Sequence, residues 1–414
     1  MTRYEEARNI YKKYGIDTDK VIEQLKQIPI SLHCWQGDDV IGFDGSGSLS
    51  GGIQTTGNYP GRARTPEELM ADIAKAASLM PGKKRLNLHA CYALLGEDQG
   101  KVDRDQYTYK YFAPWVKFAK ENGFDGVDFN PTFFGHPKMK DGLSLSSPDE
   151  ATRKFWVEHG KRSLEIAAEI GKEFGNKCFV NIWIPDGMKD IPADRLGPRI
   201  RLRNSLDEIL TALDKEHVQV AVESKVFGIG IESYTVGSSD FYMNYAATRG
   251  IFCLIDNGHY HPTENVADKY SSLLAFYDNI AVHLTRSVRW DSDHMAIYDD
   301  TMKEICAEIV KYGMVDKFII ATDWFDASIN RIFSWVGGVR AIQKSLLLGL
   351  LTPWKEMIEA EEKGDYTKRL YLTERNKMLP VEDVWAKYLE EQHLEEEFFD
   401  DIKSYEKDVL LKRK

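Results

Sequence analysis

Carboxylates and imidazoles gather where the apolar runs of this sequence stop. Ile251–Ile255 reads as a strand buried on both faces; it ends in Asp256 and, three residues on, His259, with Gly258 between them to turn the backbone sharply. The pattern recurs. Val218–Val222 ends in Glu223 and Lys225, Ile280–Leu284 carries His283 and leads to Asp291 and Asp293, and Phe318–Thr322 runs into Asp323. Glu223, Asp256, His259, His283, Asp291, Asp293 and Asp323 are thus delivered to the carboxyl ends of successive strands. Oxygen and imidazole donors with no cysteine in either cluster suit Mn²⁺, Co²⁺ or Mg²⁺ in octahedral sites with open positions, and there are ligands enough for two ions.

Each residue also has a plainer reading. A Glu-x-Lys pair is ordinarily a surface salt bridge, but residues i and i+2 share a face, so at the end of a buried strand Glu223 and Lys225 enter the same space. His283 could be a satisfied core histidine; Asp256 and Asp323 at equal depth on flanking strands favour a ligand. Asp291-Ser-Asp293 alone reads as a turn. His261 and His294 neighbour the cluster without its register. His89, Trp183 and Lys225 fall at strand ends and could grip a hydroxylated ligand, the indole stacking under an apolar sugar face. No phosphate loop, dinucleotide fingerprint or nucleophile elbow is present, and Gly228-Ile-Gly230 and Gly45-Ser-Gly47 lack a strand-to-helix context.

The elements that must position these residues repeat as strand, loop, helix. Strands are expected at about 28–35, 85–92, 126–131, 178–185, 218–223, 251–255, 280–284 and 318–322. Thr65-Pro-Glu-Glu68 caps a helix to about Met80, Ser147-Pro-Asp-Glu150 one to about Phe174, and Ser205-Leu-Asp-Glu208 another, with further helices over about 105–122 and 327–351. Eight βα units favour a closed (β/α)₈ TIM barrel over an open sheet, and chemistry at the carboxyl ends of strands is where such barrels keep it. Residues 1–27 read as an N-terminal helical cap, 28–351 as the catalytic barrel, and 352–414 as a helical C-terminal extension expected to contact a neighbouring subunit. The Gly- and Ser-rich stretch from Gly42 to Gly61 is too long for a simple turn.

A net charge of −11 argues against nucleic acid or an anionic membrane as partner. The five cysteines are odd in number and far apart, as reduced cytosolic thiols are, and no segment has a signal peptide's core or the ~20 apolar residues of a span. A cytoplasmic protein is expected.

Gly51-Gly-Ile-Gln-Thr-Thr-Gly-Asn-Tyr-Pro-Gly61, Leu86-Asn-Leu-His-Ala90, Asp128-Phe-Asn-Pro131, Asp256-Asn-Gly-His259 and Trp290-Asp-Ser-Asp-His294 together carry a resemblance to the L-rhamnose isomerase family, over about residues 1–345. The resemblance implies a barrel of the xylose-isomerase-like type, usually tetrameric, converting L-rhamnose to L-rhamnulose with two divalent cations per subunit. These are commonly Mn²⁺, with Co²⁺, Mg²⁺ or Zn²⁺ as substitutes. It implies a structural metal on Glu223, Asp256, His283 and Asp323, and a catalytic one on His259, Asp291 and Asp293. Metals on O1 and O2 of an aldose polarise the carbonyl and acidify the hydroxyl, so a hydride shift from C2 to C1 is expected rather than an enediol route. Asp291, Lys225 and Asp323 are the catalytic candidates, with a water or hydroxide near Asp291 and Lys225 handling the oxygen protons. A ketose epimerase on the same barrel is the alternative. A catalytically silent sugar-binding barrel would need neither both ligand sets nor Lys225, and an abasic-site nuclease would want a basic groove.

Overall fold

A computed structural model of the 414-residue chain describes residues 1–413 apart from 46–54, 229–230, 232, 262 and 289–292. Eight short parallel strands form the centre: β1 Ile30–His33, β2 Lys84–His89, β3 Val127–Asn130, β4 Cys178–Ile182, β5 Val218–Glu223, β6 Phe252–Asp256, β7 Ile280–His283 and β8 Phe318–Ala321. They pair in chain order, and β8 pairs with β1, so the sheet curls round on itself as the sequence leads one to expect. Between β3 and β4 the ladder is replaced by side chains. The Phe179 amide donates to Asp128 Oδ1 at 2.9 Å and the Asn181 amide to Asn130 Oδ1 at 3.0 Å. Asp128 can serve as this seam because Arg85 grips both its oxygens and Ser31 donates to Oδ2.

Near-continuous apolar runs make strands that are buried on both faces, and the helices between them form the outer wall. Helix Pro66–Ser78 starts where its capping sequence says, with Thr65 accepting from the Glu68 amide. Three helix starts differ from expectation. Asp149, not Ser147, caps Glu150–Phe174, its carboxylate accepting from the Thr152 amide while Ser147 is buried beneath. Ser205 opens nothing: it lies buried inside Leu196–Ile209, donating to the Leu145 carbonyl, and the helix begins at Leu196, whose amide donates with that of Gly197 to Asp194 Oδ1 just before it. The helix expected from about 105 covers only Ala113–Glu121, with Pro114 in its first turn, and the residues before it form short 3₁₀ turns.

Residues 1–27 form two helices, Arg3–Lys12 and Thr18–Gln27. The C-terminal stretch forms four, Trp354–Glu362, Tyr366–Asn376, Val381–Glu390 and Phe399–Asp408. Val384, Trp385, Tyr388 and Leu389 of the third are buried where it meets the two N-terminal helices and the last barrel helix, Arg331–Leu350. A two-stranded antiparallel pair, Gly187–Met188 with Tyr234–Thr235, had no counterpart in the sequence reading.

Candidate active site

Strand register assembles the first cluster. Asp256 is the register partner of His283, and Glu223 pairs with Leu254, two residues before Asp256 and therefore on its face. Ala321 pairs with His283, and Asp323 lies two residues further on. Glu223, Asp256, His283 and Asp323 consequently converge, with one donor atom from each within 4.8 Å of the others. His283 Nδ1 stands 3.4 Å from Glu223 Oε1, 3.3 Å from Asp256 Oδ2 and 3.3 Å from Asp323 Oδ2.

Each of the three carboxylates has its other oxygen tied to the protein. Glu223 Oε2 accepts from Asn181 Nδ2. Asp256 Oδ1 accepts from the Gly258 amide and the Thr285 hydroxyl, both at 2.6 Å, and Asp323 Oδ1 from the Trp35 indole at 2.7 Å. Glu223 Oε1 and Asp256 Oδ2 are left buried with no hydrogen-bond partner among the described residues, as are both nitrogens of His283. Burial alone would push the His283 imidazole down, but the carboxylates of Glu223, Asp256 and Asp323 outweigh it and raise its pKa well above the ordinary value. Burial likewise opposes ionisation of Asp323, and His283 outweighs it in turn, holding that carboxyl low. A point bounded by three oxygens and a nitrogen, each oriented from behind, is chemically a place for a divalent cation.

Asp256, His259 and Asp293 make a second group. His259 Nδ1 donates to the Ser224 carbonyl at 2.9 Å, which turns its Nε2 toward Asp293 Oδ1 at 3.1 Å. Burial pushes the Asp293 carboxyl up to about 7, against the pull of His259. Asp256 belongs to both groups, a sharing the sequence did not suggest. Asp291 lies outside the described residues. His261 is exposed and bonds to Thr263, and His294 is half-buried beside Arg286; neither enters either group.

Both groups open into one pocket, lined by Glu223 and Asp323 from the first and by His259 and Asp293 from the second. His89, Trp183 and Lys225 all line it, with the Lys225 ammonium 5.5 Å from the centre of the Trp183 ring. Burial pushes His89 down to about 4, so its imidazole is neutral near pH 7. Phe134 meets both Trp183 and His89 edge to face. Sequence reasoning missed Trp35, Val40, Asn130, Phe134, Asn181 and Phe325, which also line the pocket. Val40 sits at φ +62° directly after Asp39 at φ +62°, a left-handed pair without glycine that costs ~1–3 kcal/mol per residue. Asp38 holds the turn from below, accepting from the Tyr92 hydroxyl and the Gly42 amide.

The family described as L-rhamnose isomerase (RhaA) matches residues 1–413. The chain belongs to the L-rhamnose isomerase family. The L-rhamnose isomerase of Listeria innocua is 50% identical over 99% of this chain and 98% of its own length, and that of Salmonella paratyphi B is 48% identical over the same shares. Among solved structures, an L-ribulose 3-epimerase superimposes with a TM-score of 0.49 at 12% identity, covering 79% of this chain and 96% of that one, a likeness too distant to bear on the reaction. The enzyme is an aldose–ketose isomerase, and its substrate is a small sugar.

Proposed function

We propose that the pocket is the sugar site of a two-metal isomerase interconverting L-rhamnose and L-rhamnulose, with Mn²⁺ the preferred ion and Co²⁺, Mg²⁺ or Zn²⁺ able to replace it. Glu223, Asp256, His283 and Asp323 would hold one cation. His259, Asp293 and Asp291 would hold the other. The observation that carries the reading is the aim of the three carboxylates: each gives one oxygen to a protein donor and turns the other toward the same buried nitrogen. Like charges gathered so closely out of water are costly unless a cation joins them. When bound, the ions would supply Lewis-acid polarisation of the sugar carbonyl and acidify the neighbouring hydroxyl.

The rest of the chemistry falls to side chains. Isomerisation moves one hydrogen from C2 to C1 while a proton leaves O2 and another reaches O1. If the hydrogen carries its electron pair, no base is needed at carbon, and the side chains have only to orient the sugar and manage protons on oxygen. Lys225 would offer ammonium donors to the oxygen that gains charge at C1, and Asp323 together with Asp291 would serve the oxygen that loses its proton. Neutral His89 acts as a hydrogen-bonding partner rather than a charge. Trp183 and Phe134 wall off water and supply an apolar surface for the face of the sugar carrying C–H groups.

A cytoplasmic homotetramer completes the reading. Five buried free cysteines support a reducing compartment, and Tyr366, Leu370 and Tyr371, exposed on one helix of the C-terminal extension, support a neighbour there. Elemental analysis tests the core of it: the chain purified with Mn²⁺ should carry two ions, and the His259→Ala variant one. A single ion in the wild type, or none, would overturn the two-metal assignment.

A further inference from the structure

The left-handed turn that carries Val40 into the pocket does not hold itself. Arg331, buried at the start of the last barrel helix, grips Asp39 with both arms of its guanidinium, Nε to Oδ1 and Nη2 to Oδ2, each at 2.8 Å. Its remaining nitrogen, Nη1, donates to the Tyr59 carbonyl at 2.8 Å. The Tyr59 hydroxyl in turn donates to Glu406 Oε2 at 2.6 Å, an oxygen that also accepts from Asn330 Nδ2 at 2.8 Å. Glu406 is buried on Phe399–Asp408, the last helix of the C-terminal extension. A line of charge-assisted hydrogen bonds therefore runs from the end of the chain to a residue on the pocket wall.

Packing repeats the connection independently. Gly61, at φ +88°, lies so close to the end of the chain that a β-carbon there would come within 2.5 Å of Leu410 Cβ. Arg413 donates to the Gly61 carbonyl at 2.6 Å while pairing with both oxygens of the buried Asp72. At the other end of this short segment Gly57, at φ +120°, is pressed against the carbonyl of Ala327, which also accepts from the Tyr59 amide at 2.9 Å. Residues 57–61 are thus clamped between the segment after β8 and the C-terminal helix, with Arg331 relaying their position to Asp39.

We infer that the C-terminal helix is a remote positioning element for the sugar pocket, in which Glu406 acts through Tyr59, Arg331 and Asp39 to hold Val40 against the substrate. A valine has no intrinsic preference for the left-handed region, so its place depends on what surrounds it. Loosening the clamp lets the turn relax and withdraws one wall of the pocket from the sugar. The effect falls on substrate binding and leaves the metal ligands, which stand on other strands, in place. This inference rests on the pocket being the sugar site.

A double-mutant cycle tests it on the full-length enzyme with Mn²⁺. Glu406→Ala should raise KM for L-rhamnose roughly 3- to 10-fold with kcat within about twofold, and Glu406→Gln, which keeps an acceptor for Tyr59 and Asn330, should restore it. In a Val40→Ala background Glu406→Ala should change KM by less than about twofold, because the residue it positions is gone. Tyr59→Phe removes the same hydrogen bond with the ring retained and serves if Glu406→Ala fails to fold. Additive effects of Glu406 and Val40 substitutions would overturn the inference while leaving the sugar site standing. A Val40→Ala enzyme with unchanged KM would overturn both.

Discussion

The indole N–H of Trp35 donates to Asp323 Oδ1 at 2.7 Å, so that only Oδ2 of this carboxylate is left to face His283. Trp35 follows β1 and Asp323 follows β8, the two strands whose pairing closes the sheet, so the bond spans a junction between the two ends of the barrel. Trp35→Phe keeps the ring in the pocket and removes the donor. Loss of such an orienting bond typically weakens metal binding by about 10- to 100-fold. Calorimetric titration of the chelated variant with Mn²⁺ should show this weakening at the site of Glu223, Asp256, His283 and Asp323. An unchanged affinity would mean that the bond does not orient Asp323.

Removing metal should abolish isomerisation, and Mn²⁺ should restore it. Glu223→Gln should lower both activity and melting temperature even with Mn²⁺ present, because an amide weakens the cation that joins Asp256 and Asp323 and leaves those carboxylates to repel. Equal melting temperatures for Glu223→Gln and wild type in Mn²⁺ would count against a structural role for that ion.

His259 and Asp293 should separate from the first group. Asp293→Asn is expected to lower kcat by at least about 100-fold with little change in melting temperature, since it touches one side of the pocket rather than the meeting point of four strands. A variant that melted far below wild type while retaining turnover would reverse the division of labour proposed for the two groups.

Asp38 should make the turn below Val40 sensitive to pH. Complete burial pushes its carboxyl up to about 7, against ~3.9 in an unfolded chain. Between about pH 4 and 7 the folded chain therefore holds a proton that the unfolded chain has released, and stability from this group falls as pH rises through that window. Asp38→Asn removes the titration. The melting temperature of the wild type relative to the variant should fall between pH 5 and pH 8; a difference that stays flat would show that Asp38 is ionised throughout.

The barrel and the first cluster were legible because both follow from strand ends. An apolar run broken by a carboxylate or imidazole marks depth, and strands paired in chain order bring equal depths together, which is how Glu223, Asp256, His283 and Asp323 meet. Asn181 was not legible, because in a strand buried on both faces the alternation that would show which residue points inward is lost. Trp35 and Phe134 went unnoticed, since nothing in their sequence context sets them apart from aromatic residues that only pack. Nothing in Asp38-Asp39-Val40 announces a left-handed turn, since its stability comes from Tyr92 and Arg331, far away in sequence. The capping sequences at Ser147 and Ser205 misled for a related reason. A better-placed aspartate, Asp149 or Asp194, took the amides first.

Transfer of deuterium from C2 of L-rhamnose tests the central claim most directly. The labelled sugar is incubated with the Mn²⁺-loaded enzyme in ordinary water, and the ketose is examined by NMR. Direct movement of hydrogen between carbons, in a site whose side chains act only on the oxygens, should give L-rhamnulose with nearly all of the deuterium at C1. Ketose formed with the label washed out into solvent would contradict it, by requiring a base that takes the C2 hydrogen as a proton.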